Sequence, residues 1–175
     1  MNRQRFLGGA FATSCTLAAA SVLQACGFKL RGSQSFAFDT IAVEANPVGA
    51  ITLELRKALA SQLFVAPVPQ PQGIAPRAQV TLEILQELRE RAVAGVNAAG
   101  QVRELQLRIR VKFRLRNARG KDLIEETEIL QQRDISFSES AVLAKEVEEA
   151  LLYKNMQADI VQQLLRRLAA VKSIA

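Results

Sequence analysis

The stretch Leu105-Gln-Leu-Arg-Ile-Arg-Val-Lys-Phe-Arg-Leu115 carries the clearest structural pattern in the chain. Every odd position in it is apolar, and every even position is polar or cationic. Because successive side chains of a strand point to opposite faces, this period of two predicts a half-buried antiparallel β-strand. One face of that strand should lie in the core and the other in solvent.

Turn-forming sequences on both sides of this strand predict two partners for it. Asn117–Gly120 leads into residues 123–137, a strand whose apolar face would carry Leu123, Ile129, Ile135 and Phe137. Asn97–Gly100 follows residues 79–96, which fit either a strand or a helix. We favour the strand, because residues 105–115 need a second partner. Its alternating apolar positions are Val80, Leu82 and Ile84.

The remaining segments predict one more strand and two helices. Residues 36–44 are rich in aromatic and β-branched residues, which predicts the first strand. Asn46 and Pro47 suit the N-cap and first position of a helix, and residues 65–77 hold four of the five prolines, which predicts a loop. The segment 138–171 has a helical period. Its apolar stripe comprises Leu143, Val147, Ala150, Leu151, Val161, Leu164, Leu168 and Val171.

Together these elements predict an α+β fold with the order β-α-β-β-β-α. We expect a four-stranded mixed sheet with two helices packed on one face. The first strand, the first helix and the second strand should form a right-handed crossover, so those two strands should run parallel.

The amino-terminal region has the features of an export signal. Arg3 and Arg5 precede an uncharged stretch, residues 6–23, and small Ala25 stands directly before Cys26. The junction resembles the lipobox of bacterial lipoproteins, which implies cleavage before the Cys and acylation of it, palmitate included. The alternative is an ordinary secretory signal with an incidental Cys.

This organisation divides the chain into three parts. Residues 1–25 are the lipoprotein signal peptide, residues 26–35 the lipidated N-terminus and tether, and residues 36–175 a single domain. A domain of that size can bury a sizeable core without disulfides. Cys26 is the only Cys left after cleavage, since Cys15 lies in the removed segment.

The residues that follow the cleavage site carry a family resemblance. Cys26-Gly27-Phe28-Lys29-Leu30-Arg31-Gly32 resembles the opening of mature LptE proteins, the lipopolysaccharide-assembly lipoproteins of Gram-negative outer membranes. The predicted element order is similar to theirs, and so are Leu143-Ala144-Lys145 and the segment 163–168.

The resemblance implies an outer-membrane lipoprotein on the periplasmic side, anchored by its N-terminal lipid. Such a protein binds and plugs the LptD β-barrel, assists lipopolysaccharide assembly and needs no cofactor. The alternative is a lipid-anchored periplasmic adaptor of another envelope complex, without lipopolysaccharide binding.

Composition excludes several other functions. Of the 23 Lys and Arg residues, Arg3 and Arg5 lie in the predicted signal peptide. The rest of the chain therefore has 21 cationic and 17 acidic residues. This modest excess, together with export, argues against nucleic acid as a partner. The chain has no His, hence no imidazole base and no His-ligated metal. Neither a nucleophile elbow nor a phosphate loop is present, so we expect no enzyme.

Five cations alternate along the central strand: Arg108, Arg110, Lys112, Arg114 and Arg116. They predict either a docking surface for lipid phosphates or a solvated face neutralised by neighbouring strands. The turns place Lys112 opposite Glu126 and Arg110 opposite Glu128. They also place Arg110 near Glu87 and Arg114 near Glu83. These pairs explain most of the row.

The less neutralised end of the sheet is the better anion site. There Arg108 would face Arg89, with Arg91 and Arg103 closer to the turn. Lys145 is the second candidate, because the resemblance places it where family members carry a lysine implicated in lipopolysaccharide binding. The family's other basic position, near the turn after the second strand, has no cation here, and Arg91 or Arg103 could substitute. The alternative for Lys145 is an ordinary exposed helix residue.

Overall fold

The computed structural model describes residues 34–68, 78–138 and 142–175. Its elements are β1 (Thr40–Ala45), α1 (Ala50–Ala60), β2 (Phe64–Ala66), β3 (Val80–Val96), β4 (Val102–Asn117), β5 (Asp122–Ser136) and α2 (Val142–Ala169). The predicted signal peptide, the predicted acylation site Cys26 and the motif residues Gly27, Phe28, Leu30, Arg31 and Gly32 lie outside the described residues.

The sheet has five strands in the order β2-β1-β3-β4-β5, so the predicted count of four was wrong. The additional strand, β2, is three residues long and pairs in parallel with β1, with Thr40 opposite Phe64. Three residues are too few to show a period of two, and two of them lie in the stretch predicted as a proline-rich loop. The predicted parallel pairing of the first strand with β3 is confirmed, as is the α+β class.

The three long strands match their predictions closely. In β4, the odd-numbered residues from Leu105 to Asn117 are buried, and the even-numbered residues between them are partly exposed. β3 is a strand throughout, which decides between the two alternatives for residues 79–96. Both turns form as expected: Gly100 and Gly120 have φ of 77° and 83°, a conformation that glycine adopts without steric cost.

Helix α1 begins at Ala50, so Asn46 and Pro47 do not start it as predicted. Its N-cap residue is Gly49, which has no side chain to accept a hydrogen bond. Glu87 of β3 does so instead, accepting from the backbone N–H groups of Ile51 (3.1 Å) and Thr52 (3.4 Å). A carboxylate placed at a helix N-terminus is favourable because the first N–H groups are unpaired and carry partial positive charge. A Cβ at Gly49 would collide with this carboxylate.

Both helices pack on the face of the sheet that carries the odd-numbered residues of β4. The core joins Phe113 and Leu107 of β4 to residues of both helices, including Leu55 and Leu164. The apolar stripe of α2 is buried only in its second half, where Tyr153, Met156, Ile160, Val161, Leu164, Leu165 and Leu168 lie. Leu143, Val147 and Leu151 are exposed, which corrects the predicted stripe. In the described part of the chain, no helix is both long and apolar enough to cross a membrane.

The domain has two ends, separated along β4 by 16 residues or roughly 50 Å. At the tether end, the N–H of Gln34 donates to Gln62, and Asn117 donates to the carbonyl of Ile174. The opposite end, here called the hairpin end, contains the Asn97–Gly100 turn, the end of β5 and the start of α2.

Candidate functional site

The outer face of the sheet, opposite the helices, carries a ladder of ion pairs. Arg114 contacts Glu83 at 2.6 Å, and Arg116 contacts Glu83 at 3.2 Å and Asp122 at 3.0 Å. Arg110 contacts Glu128 at 3.1 Å, and Lys112 lies 3.9 Å from Glu126. The predicted neutralised face therefore accounts for four of the five cations in the row.

The backbone register differs from the predicted one even where the ion pairs agree. Lys112 lies opposite Glu128, and Arg110 lies opposite Leu130. The long cationic side chains therefore reach their acids diagonally, which antiparallel neighbours allow. The predicted approach of Arg110 to Glu87 was wrong, because Leu88 lies opposite Arg110 and Glu87 caps α1.

A β-bulge at Leu85 changes the pairing of β3 with β4 and moves Glu87 away from Arg110. The register of β4 with β5 is shifted separately, by irregularities between Phe113 and Arg116. Ile84 pairs with Phe113, but the next pair is Gln86 with Lys112, so one residue of β3 is left over. A bulge of one residue moves every later side chain to the opposite face. Consequently Arg89 and Arg91 share the helix-facing side of the sheet with Ile109 and Leu107, which lie opposite them. The prediction that Arg108 faces Arg89 was wrong: Arg108 lies opposite Glu90.

On the helix-facing side, Arg89 and Arg91 contact α2. The guanidinium of Arg89 lies 3.4 Å from the centre of the Tyr153 ring, a cation–π contact. The Tyr153 hydroxyl donates to the carbonyl of Glu90 at 2.6 Å. Arg91 lies 3.7 Å from Glu149 and 5.8 Å from the centre of the Phe137 ring.

Lys145 stands in the first turns of α2 at the same end. Its ammonium donates to Ser136 Oγ at 2.9 Å and to Glu148 at 2.8 Å. Lys145 and Arg91 both line a pocket of about 100 Å³ between α2 and the sheet. Two acids, Glu146 and Glu149, also line it. The remaining lining residues are Leu105, Ile135, Ser136, Phe137 and Val142.

The five predicted anion-binding residues are therefore divided among different places. Arg91 and Lys145 meet in the pocket, and Arg89 is adjacent but lies over Tyr153. Arg103 donates to Gln101 beside the turn and is not among the pocket residues. Arg108 lies on the outer face, where it donates to Gln106 at 2.6 Å. Sequence spacing could not separate them, since the bulge decides which arginines face α2.

Comparison with known proteins identifies the family. The profile of the LptE family, described as lipopolysaccharide-assembly, matches residues 38–168. This chain belongs to the LptE family. LptE proteins are non-enzymatic lipopolysaccharide-assembly lipoproteins of the Gram-negative envelope, so the expectation of no enzyme is confirmed. Among curated protein sequences, none is significantly similar to the chain.

Solved structures agree with the LptE assignment. The solution structure of uncharacterized lipoprotein B from Nitrosomonas europaea is 33% identical, with a TM-score of 0.69, and the match covers 82% of this chain and 91% of that one. Rare lipoprotein B from Shewanella oneidensis is 22% identical, with a TM-score of 0.60 over 75% and 94% of the two chains. A minor lipoprotein from Acinetobacter baumannii is 17% identical, with a TM-score of 0.60 over 78% and 94%. The last two support the fold alone.

The chemistry of the pocket in this LptE protein suits an anion with an apolar neighbour. Arg offers a planar fork of donors and Lys a compact charge, and both bind phosphate and carboxylate groups. Leu105, Ile135 and Phe137 give the pocket apolar walls. No cluster of three or more metal-ligating side chains occurs within residues 34–68, 78–138 and 142–175.

Proposed function

We propose that this LptE-family chain binds lipopolysaccharide at the pocket that Arg91 and Lys145 line, while it plugs the LptD barrel at the outer membrane. The observation that carries the proposal is the meeting of two cations, 54 positions apart in sequence, over apolar pocket walls. Lipopolysaccharide offers the matching groups, because its lipid anchor joins phosphates to acyl chains.

The position of Arg91 supports choosing it over Arg103 as the second binding residue. The turn after the second strand has no cation at the family's second basic position, and Arg91 or Arg103 could have replaced it. Arg91 lines the same pocket as Lys145, and Arg103 does not. We therefore assign Arg91 and Lys145 as the binding pair.

Each cation has an acidic partner that a bound phosphate would displace. Arg91 lies near Glu149 and Lys145 near Glu148, and each pair includes a well-exposed side chain. Exposed ion pairs are worth only about 0–1 kcal/mol, so exchanging a carboxylate for a phosphate costs little. Binding at this pocket should therefore be reversible and should weaken as salt is raised.

Charge reversal tests this assignment with a matched control. Arg91→Glu combined with Lys145→Glu should reduce affinity for purified lipopolysaccharide by at least about tenfold, as expected when two charge-assisted contacts become repulsive. Arg110→Glu with Lys112→Glu reverses the same two residue types on the outer face and should have little effect. Arg103→Glu should also have little effect. Equal affinity of the pocket variant and the wild type would overturn the proposal.

Inside the LptD barrel, the domain should have one orientation, set by its lipid anchor. A lipid on Cys26 would hold the chain at the inner leaflet of the outer membrane, on the periplasmic side. Because Gln34 lies at the tether end, the Asn97–Gly100 turn is the tip that should reach deepest into LptD. The Asn117–Gly120 turn lies at the tether end, so it should stay near the periplasmic rim of the barrel. The outer-face ion ladder suits a polar lumen, which large barrels provide.

Crosslinking and fractionation test the orientation and the anchor. A photo-crosslinker at Ala98 should capture the LptD lumen, whereas one at Ala118 should capture the periplasmic rim. Capture of another envelope protein at both positions would favour the adaptor alternative. Cys26→Ala should leave unprocessed precursor at the inner membrane, and recovery of mature, membrane-bound protein from that variant would contradict acylation.

A further inference from the structure

The first three turns of α2 expose an apolar surface beside the pocket. Leu143, Val147 and Leu151 are spaced four residues apart, so they lie on one flank of the helix and are all exposed. We call these three residues the α2 flank. Single exposed apolar residues are common, but three in register along about 12 Å of helix form a continuous stripe.

Helix contacts show which way the α2 flank faces. Lys145 reaches Ser136 of β5, and Asp159 of α2 pairs with Arg133 of β5, so that flank of the helix faces β5. Leu143 is two residues from Lys145, nearly opposite it around the helix. The α2 flank therefore faces away from β5. It lies past the start of α1, because Tyr153, two residues after Leu151, already contacts Glu90, three residues beyond the Glu87 that caps α1.

Among the residues that the structure describes, no strand covers the neighbouring edge of the sheet either. β3 pairs with β1 only as far as Ile84, and beyond that residue no described strand lies on that edge. Val93 lies opposite Leu105 on the helix-facing side, and it is exposed. Val93 and Leu143 each neighbour a residue that lines the pocket: Val93 is two positions beyond Arg91, on the same face of β3, and Leu143 directly follows Val142 on α2.

We propose that the α2 flank and Val93 bind the acyl chains of the same anionic lipid whose charged group sits at Arg91 and Lys145. This inference rests on the proposed function and adds a second subsite to it. Two cations in the pocket and an aliphatic stripe on the same turns of α2 together match an acylated, phosphorylated lipid, whose acyl chains would pass around the helix from the pocket to the stripe. Protein-binding hot spots are enriched in Trp and Tyr and poor in Leu and Val, so the composition of the stripe favours acyl chains over a protein surface.

Binding measurements with two forms of one ligand test the subsite. The variant is Leu143→Gln with Val147→Gln, and the probes are purified lipopolysaccharide and the same material with its acyl chains removed. Affinity for the intact form should fall about tenfold or more, because two apolar side chains no longer contribute to burial. Affinity for the deacylated form should be unchanged.

The control uses the same residue types at a distant surface. Leu53→Gln with Val48→Gln alters two exposed residues in and just before α1, and it should leave both affinities unchanged. Unchanged affinity of the flank variant for intact lipopolysaccharide, with or without loss of LptD co-purification, would overturn the inference. An equal loss toward both ligand forms would also overturn it. If the proposed function itself were wrong, the Arg91/Lys145 charge reversal would leave the affinity for lipopolysaccharide unchanged, and this outcome separates the two failures.

Discussion

The two halves of α2 carry Leu and Val on the same side of the helix, but these side chains are exposed in the first half and buried in the second. Leu143 and Val161 are 18 residues apart, which is five full turns, yet Leu143 is 80% exposed and Val161 only 2%. Val147 and Leu165 repeat the contrast, at 72% and 3%. The second half lies in the core with α1, whereas the first half extends past the start of α1. Burial is thus a property of what lies opposite, and helical period alone does not determine it.

The comparison also separates stability from binding. We call the part of the domain that contains β1 and α1 the closed half, and the part beyond the start of α1 the open half. The closed half holds most of the large core side chains. The open half holds the pocket, the α2 flank and the edge of β3 beyond Ile84, which pairs with no described strand. Substitutions in the closed half should therefore lower the free energy of unfolding, and those in the open half should change ligand affinity.

The largest expected effect is at Phe113 in the closed half. Its side chain is fully buried, and Arg167 lies 5.6 Å from the centre of its ring. Phe113→Ala should reduce the free energy of unfolding by about 3–5 kcal/mol through lost burial and a residual cavity. Urea denaturation of the purified domain measures it. An unchanged midpoint would mean that this face of β4 is not the core.

A leucine pair tests the contrast between the halves directly. Leu165→Ala should cost about 2–5 kcal/mol of unfolding free energy because the side chain is buried beside α1. Leu143→Ala removes the same atoms from the open half and should change stability by less than about 0.5 kcal/mol. The same denaturation experiment measures both. Similar losses in the two variants would show that the open half is covered within the domain itself.

The boundary between the halves is set by Glu87. Glu87→Ala removes the acceptor for two N–H groups at the start of α1 and should cost about 1–2 kcal/mol. Glu126→Ala, which removes a surface acid 3.9 Å from Lys112, is the matched control and should cost much less. Hydrogen exchange should also show faster opening of the first turn of α1 in the Glu87 variant only.

The smallest loss of unfolding free energy is expected at Tyr153, which lies on α2 at the boundary between the closed and open halves. Tyr153→Phe keeps the ring under Arg89 and removes only the hydroxyl, which donates to Glu90. The loss should be about 0.5–1.5 kcal/mol of unfolding free energy, the usual net worth of one hydrogen bond. Lipopolysaccharide affinity should not change. A large loss of affinity would place this contact in the binding site.

Much of this fold was predictable because its strands are long and regular. The alternation from Leu105 to Leu115 predicts a half-buried strand. The turns at Asn97–Gly100 and Asn117–Gly120 predict an antiparallel neighbour on each side of it. The strand β2 escaped prediction because three residues carry no period. The start of α1 escaped because its cap, Glu87, comes from a strand 36 residues further along the chain than Ile51.

The sequence alone determined the class of the protein and the alternation of its central strand, because local hydrophobic period and a contiguous motif are both visible in one dimension. It also pointed to Lys145. Only the tertiary structure decided which arginine joins that lysine. One extra residue at Leu85 turns Arg91 toward α2, and Arg108, on the neighbouring strand, keeps the opposite face. A bulge forms where strands must twist and pair under a packed helix, so its position depends on contacts that no local pattern contains.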